Sequence, residues 1–199
     1  PPAVGYGILR FYSPHLEMKL YVELDAIASL KAGQIDLWRE ERLRDITSLA
    51  DSSSLVSSAL QLTTESADND SHRRYIENRL ESILHADNYR GAMILDRNGQ
   101  PLASVGLDID LPSSTLALIE QASISRGIAG HLTLNDSAGS YQDLVAPLVM
   151  PGERAQVEHF LLLRSDPERL LRSLMPIWPG YHASGETQIF RPGRQDALS

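Results

Sequence analysis

Between Pro14 and Asp51 the chain has no further proline and a single glycine, Gly33. Apolar residues recur there at Leu20, Leu24, Ile27, Ile35, Trp38, Ile46 and Leu49, three, four or eight positions apart, with charged residues between them. That is the period of a helix with one apolar stripe. At ~1.5 Å per residue it reaches over 50 Å, whereas helices in globular proteins average about a dozen residues. So long a helix is either two helices broken near Gly33 or a stalk over 14–51 that holds a domain away from a membrane.

After the stripe the pattern changes. Thr63–Asp70 is polar and reads as a loop, and Ser71–His85 is helical, with Tyr75, Ile76, Leu80, Ile83 and Leu84 on one side. Tyr89–Leu95 is a short apolar run, Asp96-Arg97-Asn98-Gly99 a turn signal, and Pro101–Val105 a second run. Asn-Gly supplies the positive φ angles of tight hairpins, so a β-hairpin is expected. Leu111-Pro112-Ser113-Ser114 starts a helix over Ser114–Ser123 with serine as its cap. Gly127–Leu134, Tyr141–Met150 and Gln156–Leu163 read as strands, the last apolar enough to be central. Asp166-Pro167-Glu168 opens another helix, with Ser165 or Asp166 as cap, proline at its first position and an acidic residue at the positive end of its dipole. It ends before Pro176. The order implies an α+β fold, with a long N-terminal helix and an antiparallel sheet of about five strands flanked by helices.

Charge and composition narrow the function. Eighteen basic against 26 acidic side chains give a net charge of −8, the wrong sign for a nucleic-acid partner. The absence of cysteine removes disulfides, thiolate nucleophiles and Cys-based zinc sites. No apolar run of about 18 residues is present, and Pro1–Tyr12 does not have the pattern of a signal peptide. The histidines, His15, His72, His85, His131, His159 and His182, include no pair at helical ligand spacing, so no metal is expected. There is no Gly-x-Ser-x-Gly elbow and no glycine-rich phosphate loop before a helix. Neither a catalytic group nor a cofactor is expected.

Several segments resemble the double-Cache (extracellular PAS-like) sensor domains of bacterial histidine kinases and diguanylate cyclases. Leu24–Ile35 followed by Trp38-Arg39-Glu40-Glu41-Arg42 resembles their stalk helix, and Tyr89–Asp96 with Gly99 their first hairpin. Asp166-Pro167, Leu170, Leu174, Trp178-Pro179 and Glu186-Thr187 resemble the passage from the membrane-distal to the membrane-proximal module. The resemblance, over most of residues 20–191, implies a stalk at 14–51 and a distal PAS-like module at 52–175. It further implies a linker and the start of a truncated proximal module at 176–199. It also implies the periplasmic part of an inner-membrane receptor, anchored by flanking spans outside this sequence, with a small molecule bound in the distal sheet pocket. The Arg-x-Trp-Tyr cluster of amino-acid-binding members is absent, so an amino-acid ligand is not implied.

Candidate ligand-binding residues follow from the strands. Tyr141 and Asp143 alternate on Tyr141–Met150 and so share a face, where a hydroxyl and a carboxylate orient a cationic or hydroxylated ligand; the competing reading is a solvent-facing pair at a strand's start. Arg126 and His131 flank the neighbouring strand as an anion-binding counterpart, and Arg90 stands at the hairpin entrance. The long stripe leaves apolar surface for a homodimer through the stalk helix. Two other readings stay open: a receptor that senses through a periplasmic protein partner, and a soluble α+β enzyme.

Overall fold

The stripe folds as one helix. In the computed structural model, which describes residues 2–62, 69–87, 89–107, 111–136, 139–150, 157–168, 170 and 172, α1 spans Pro2–Ala50. It begins before the expected start at residue 14 and continues through Pro14, where one backbone donor is missing. Gly33 does not break it; a Cβ there would meet nothing within 4 Å. At ~1.5 Å per residue the 49 residues reach about 74 Å.

Two helices follow, α2 (Ser53–Leu60) and α3 (Asn69–Asp87). The sequence pattern gave no sign of α2. Its serines are indifferent helix formers, and what fixes it is burial of Leu55, Val56 and Ala59. The hairpin is β1 (Tyr89–Asp96) and β2 (Pro101–Val105), as expected. Its turn differs from the two-residue Asn-Gly form. Asp96 N–H donates to the Gln100 carbonyl (2.9 Å) and Gly99 N–H to the Asp96 carbonyl (3.0 Å). Asp96 Oδ1 also accepts from the N–H groups of Asn98 (2.8 Å) and Gln100 (2.7 Å). Only Gly99 takes positive φ, at 80°, which makes a three-residue loop with glycine in the left-handed position.

Helix α4 (Ser113–Ser125) starts at Pro112, not at a serine cap, and no side chain caps it. The Pro112 carbonyl takes the first-turn bonds from Thr115 and Leu116 N–H. Then come β3 (Ala129–Asp136), β4 (Gly139–Leu148) and β5 (His159–Ser165), each displaced by two or three residues from its sequence-based bounds. All pairings are antiparallel, in the order β2-β1-β5-β4-β3. The apolar run Phe160–Leu163 is therefore central, as its composition predicts. After β5, Glu168 N–H donates to Asp166 Oδ1 at 2.8 Å, which makes Asp166 the cap, and residues 168, 170 and 172 are helical. Trp178-Pro179, the strand expected at Glu186–Phe190, and the division at 176–199 lie outside the described residues.

Because strand side chains alternate, the sheet has two faces. One buries Ala92, Ile94, Leu144, Ala146, Leu161 and Leu163 under Ile46 and Leu49 of α1, Leu55 and Val56 of α2, and Ile76 and Leu80 of α3. The other buries Met93, Leu95, Val145, Phe160 and Leu162 under Leu118, Ile119 and Ala122 of α4. Arg42 anchors α1 to the sheet: its guanidinium lies 4.7 Å from the Tyr89 ring centroid, and the Tyr89 hydroxyl donates to Asp45 Oδ2 at 2.7 Å. Further along α1, Leu24, Ile27, Ile35 and Trp38 are half-buried. On the roughly opposite side of the helix, Met18, Val22, Leu30 and Leu37 are each at least 60% exposed, and Ala26 and Gly33, both exposed, lie between them.

Candidate functional site

The face under α4 carries the polar chemistry. Backbone pairing aligns Gly91, Arg164, Asp143 and His131 in one row across β1, β5, β4 and β3. Directly opposed residues point to the same side of a sheet, so the row places an arginine and a histidine on either side of Asp143. Over Gly91 there is no room for a side chain: a Cβ would lie 2.4 Å from Leu107 Cγ. Leu107 thus closes one end of the row.

Asp143 is 1% exposed. Its Oδ1 accepts from Arg164 Nε at 2.7 Å and its Oδ2 from Arg164 Nη2 at 2.8 Å, a bidentate pair. Oδ2 also accepts from the hydroxyl of Thr115, in the first turn of α4. Tyr141, two residues back on β4, puts its ring under the same guanidinium, with Cζ 4.3 Å from the centroid. Burial works against the charge on Arg164, but the hydrogen bonds and charge of Asp143 outweigh it and hold the guanidinium pKa above arginine's ordinary value. The group stays protonated at any working pH.

The sequence-derived candidates divide accordingly. Tyr141, Asp143 and His131 share this face, and Tyr141 and Asp143 are both buried. Arg126 does not join them. It is exposed, ends α4 in the left-handed conformation at φ 52°, and stands roughly three helical turns from Thr115. Arg90 pairs with Asp166, Nη2 to Oδ2 at 3.2 Å. Arg164 and Thr115 were not among the candidates. Arg164 had a visible signal, a lone charge closing the apolar run Phe160–Leu163 of the central strand; Thr115, an ordinary helix residue, had none.

A second concavity lies where the β1–β2 turn meets α4, a cleft of about 360 Å³ lined by Arg97, Asn98, Gly99, Leu116, Ile119, Glu120, Ser123 and Ile124. Among the described residues there is no group of three or more His, Asp or Glu able to hold a metal ion, and no helix is long and apolar enough to cross a membrane.

A long N-terminal helix against a five-stranded antiparallel sheet is the α+β fold that the chain shares with solved sensor domains. No protein-family model matches the chain, and no curated protein matches it in sequence. Solved structures do. It is similar to the sensor domain of the Vibrio cholerae histidine kinase DctB, at TM-score 0.62 and 15% identity, covering 79% of this chain and 60% of that one. It is similar to the ligand-binding domain of the Pseudomonas aeruginosa PAO1 amino-acid chemoreceptor PctC in complex with GABA (TM-score 0.56, 18% identity, 77% and 64% covered). A domain of a Vibrio parahaemolyticus protein assigned to the sensory box/GGDEF family also matches (0.51, 16%, 75% and 62%). The chain thus spans about three-fifths of the length of the domains it matches. The first of these is described as a sensor domain and the second as a ligand-binding domain.

Proposed function

We propose that the chain is the extracytoplasmic ligand-sensing part of a transmembrane signalling receptor, with no enzymatic activity of its own. In this reading residues 14–51 are the stalk, 52–175 the membrane-distal module and 176–199 the passage to a second module. A small molecule binds on the α4 face, at Tyr141, Asp143, Arg164 and Thr115, with His131 beside them. The carrying observation is the charged pair under α4. A buried ion pair adds little net stability compared with apolar residues of the same size, so its place between two strands otherwise packed with Val, Leu and Phe calls for a role in binding.

The same strands connect the site to the stalk. Asp143 and Arg164 point toward α4, while their neighbours Leu144 and Leu163 point toward the helices on the other face, and α1 packs on both β4 and β5. A ligand that binds two positions of α4 unequally would shift β4 and β5 and so bias α1. Two stalks pairing through Met18, Val22, Leu30 and Leu37 would carry that shift across a membrane. Leu37→Glu, at an exposed position, should leave the fold intact and convert a dimer to monomer in sedimentation analysis; a wild-type chain monomeric at high concentration argues against paired stalks.

The direct test is a thermal-shift screen against a chemically diverse small-molecule library. A ligand at about a hundred times its dissociation constant adds ~2.7 kcal/mol of stability, and Tyr141→Phe or Asp143→Asn should diminish that gain. A second reading, sensing through a protein partner, is favoured by the cleft beside α4, where Leu116 is 42% and Ile124 78% exposed. A flat screen with a folded protein selects it.

A further inference from the structure

We propose that the outer edge of β3 is a docking surface for a second copy of this chain, the two β3 strands pairing antiparallel about a twofold axis at Thr133. The two edges of the sheet are unlike. β2 is five residues long, begins with Pro101, which has no N–H to offer, and is packed by α3. β3 is eight residues long, contains no proline, and has a strand neighbour on one side only among the described residues. A free edge of this kind offers a row of backbone N–H and C=O groups whose natural partner is another extended strand.

The side chains of β3 call for the same cover. Gly130 lies opposite Leu144 and Leu132 opposite Gln142. That sets both, with Leu134 two residues on, on the side of the sheet that buries Leu144 under α1, α2 and α3. There α1 packs on β4 and β5, and α3 on β1 and β2. Leu132 is 38% and Leu134 37% exposed, whereas the leucines of β1, β4 and β5 are at most 3% exposed. The register with β4 shifts between Thr133 and Asp136, a bulge that bends this end of the edge without covering it.

Three features make the occupant a second copy. With the twofold axis normal to the sheet at Thr133, Leu132 of each copy stands opposite Leu134 of the other, on one side, and Thr133 stands opposite itself. No other twofold register gives both leucines a leucine partner. Residues 129–134 include no Asp, Glu, Lys or Arg, so two chains of net charge −8 meet along a strip without like charges. Pairing also ends with two copies: it leaves only the β2 edges, with their proline and their packed helix, at the ends of a continuous sheet.

The test is sedimentation equilibrium of residues 1–199 carrying Leu37→Glu, which removes the stalk pairing proposed above, over a wide range of concentration. We expect a reversible monomer–dimer equilibrium, weak because the contact is small. Leu132→Lys with Leu134→Lys sets lysine opposite lysine in both cross-strand pairs and should weaken the dimer about tenfold or more. Leu132→Lys with Leu134→Glu removes the same leucines but sets lysine opposite glutamate, and should dimerise about tenfold more tightly than the double-lysine variant. Should a double variant not fold, amide exchange in the Leu37→Glu chain decides: exchange along β3 should slow as concentration rises. A Leu37→Glu chain that stays monomeric at the highest concentration overturns the proposal. So does a dimer equally tight in both double variants, or one whose β3 amides exchange at a rate independent of concentration. Neither result bears on ligand binding under α4.

Discussion

The two faces of the sheet use the same five strands for different ends. Under α1, α2 and α3 the strands present mainly aliphatic side chains, and the polar links lie toward the end near Tyr89, where Arg42, Asp45 and Tyr89 tie α1 to the first strand and the Ser165 hydroxyl lies 3.3 Å from Gln142 Oε1. Under α4 a single helix covers an apolar patch that gives way, on two adjacent strands, to Tyr141, Asp143 and Arg164. Hydrophobic burial is non-directional and scales with area, so the first face is suited to holding the module together. The bidentate pair is directional and nearly neutral in net stability, so the second face is suited to recognising something. Asp143 and Leu144 are consecutive residues with opposite duties, and a strand one residue out of register would exchange them.

Substitutions on the two faces should separate these duties. Leu161→Ala, at a fully buried position under the three helices, should cost about 2–5 kcal/mol in chemical denaturation while ligand affinity of the folded protein stays unchanged. Arg164→Met leaves Asp143 buried without its counter-charge and should cost about 3 kcal/mol. Asp143→Leu combined with Arg164→Met should recover most of that stability and still fail to bind ligand. A double variant that binds normally would break the division between the faces.

The anchor at Tyr89 is weaker. Tyr89→Phe removes the bond to Asp45 and should lower stability by about 0.5–1.5 kcal/mol, without affecting binding. The smallest effect concerns His159, on the three-helix face. Burial lowers its pKa below the ordinary histidine value, partly offset by the charges of Glu158 and Asp96 and by its hydrogen bond to the Leu62 backbone. A histidine neutral in the folded chain and charged in the unfolded one contributes stability above its unfolded pKa of about 6.5. That contribution declines as pH falls below that value. Denaturation midpoints of His159→Gln should therefore vary less than the parent's across that range.

The sequence discloses much of the first face and less of the second. Ile46 and Leu49 in a helical stripe, and Ile76 and Leu80 in another, announce a buried side because their spacing follows from helix geometry. Phe160–Leu163 announces a central strand because such a strand is covered on both faces. Helix α2 escapes notice because Ser53–Leu60 is shaped by tertiary burial more than by propensity. Tyr141 and Asp143 are legible as a pair on one face from alternation alone. Arg164 and Thr115 are not, because their meeting with Asp143 depends on strand order and on where α4 crosses the sheet. Arg126 and Arg90, the arginines that strand position alone suggests, stand elsewhere: one ends α4 in the open and the other pairs with Asp166.

The central claim, that one face recognises and the other holds, is tested most directly by amide hydrogen exchange. The chain would be measured with and without whichever compound binds most tightly in the thermal-shift screen above. The account predicts added protection in the first turn of α4 around Thr115 and along Tyr141–Leu144 and Leu162–Arg164, with a smaller change reaching α1 near Ile46. Protection confined to the cleft between Arg97–Gly99 and Leu116–Ile124, or to α1 alone, would contradict it.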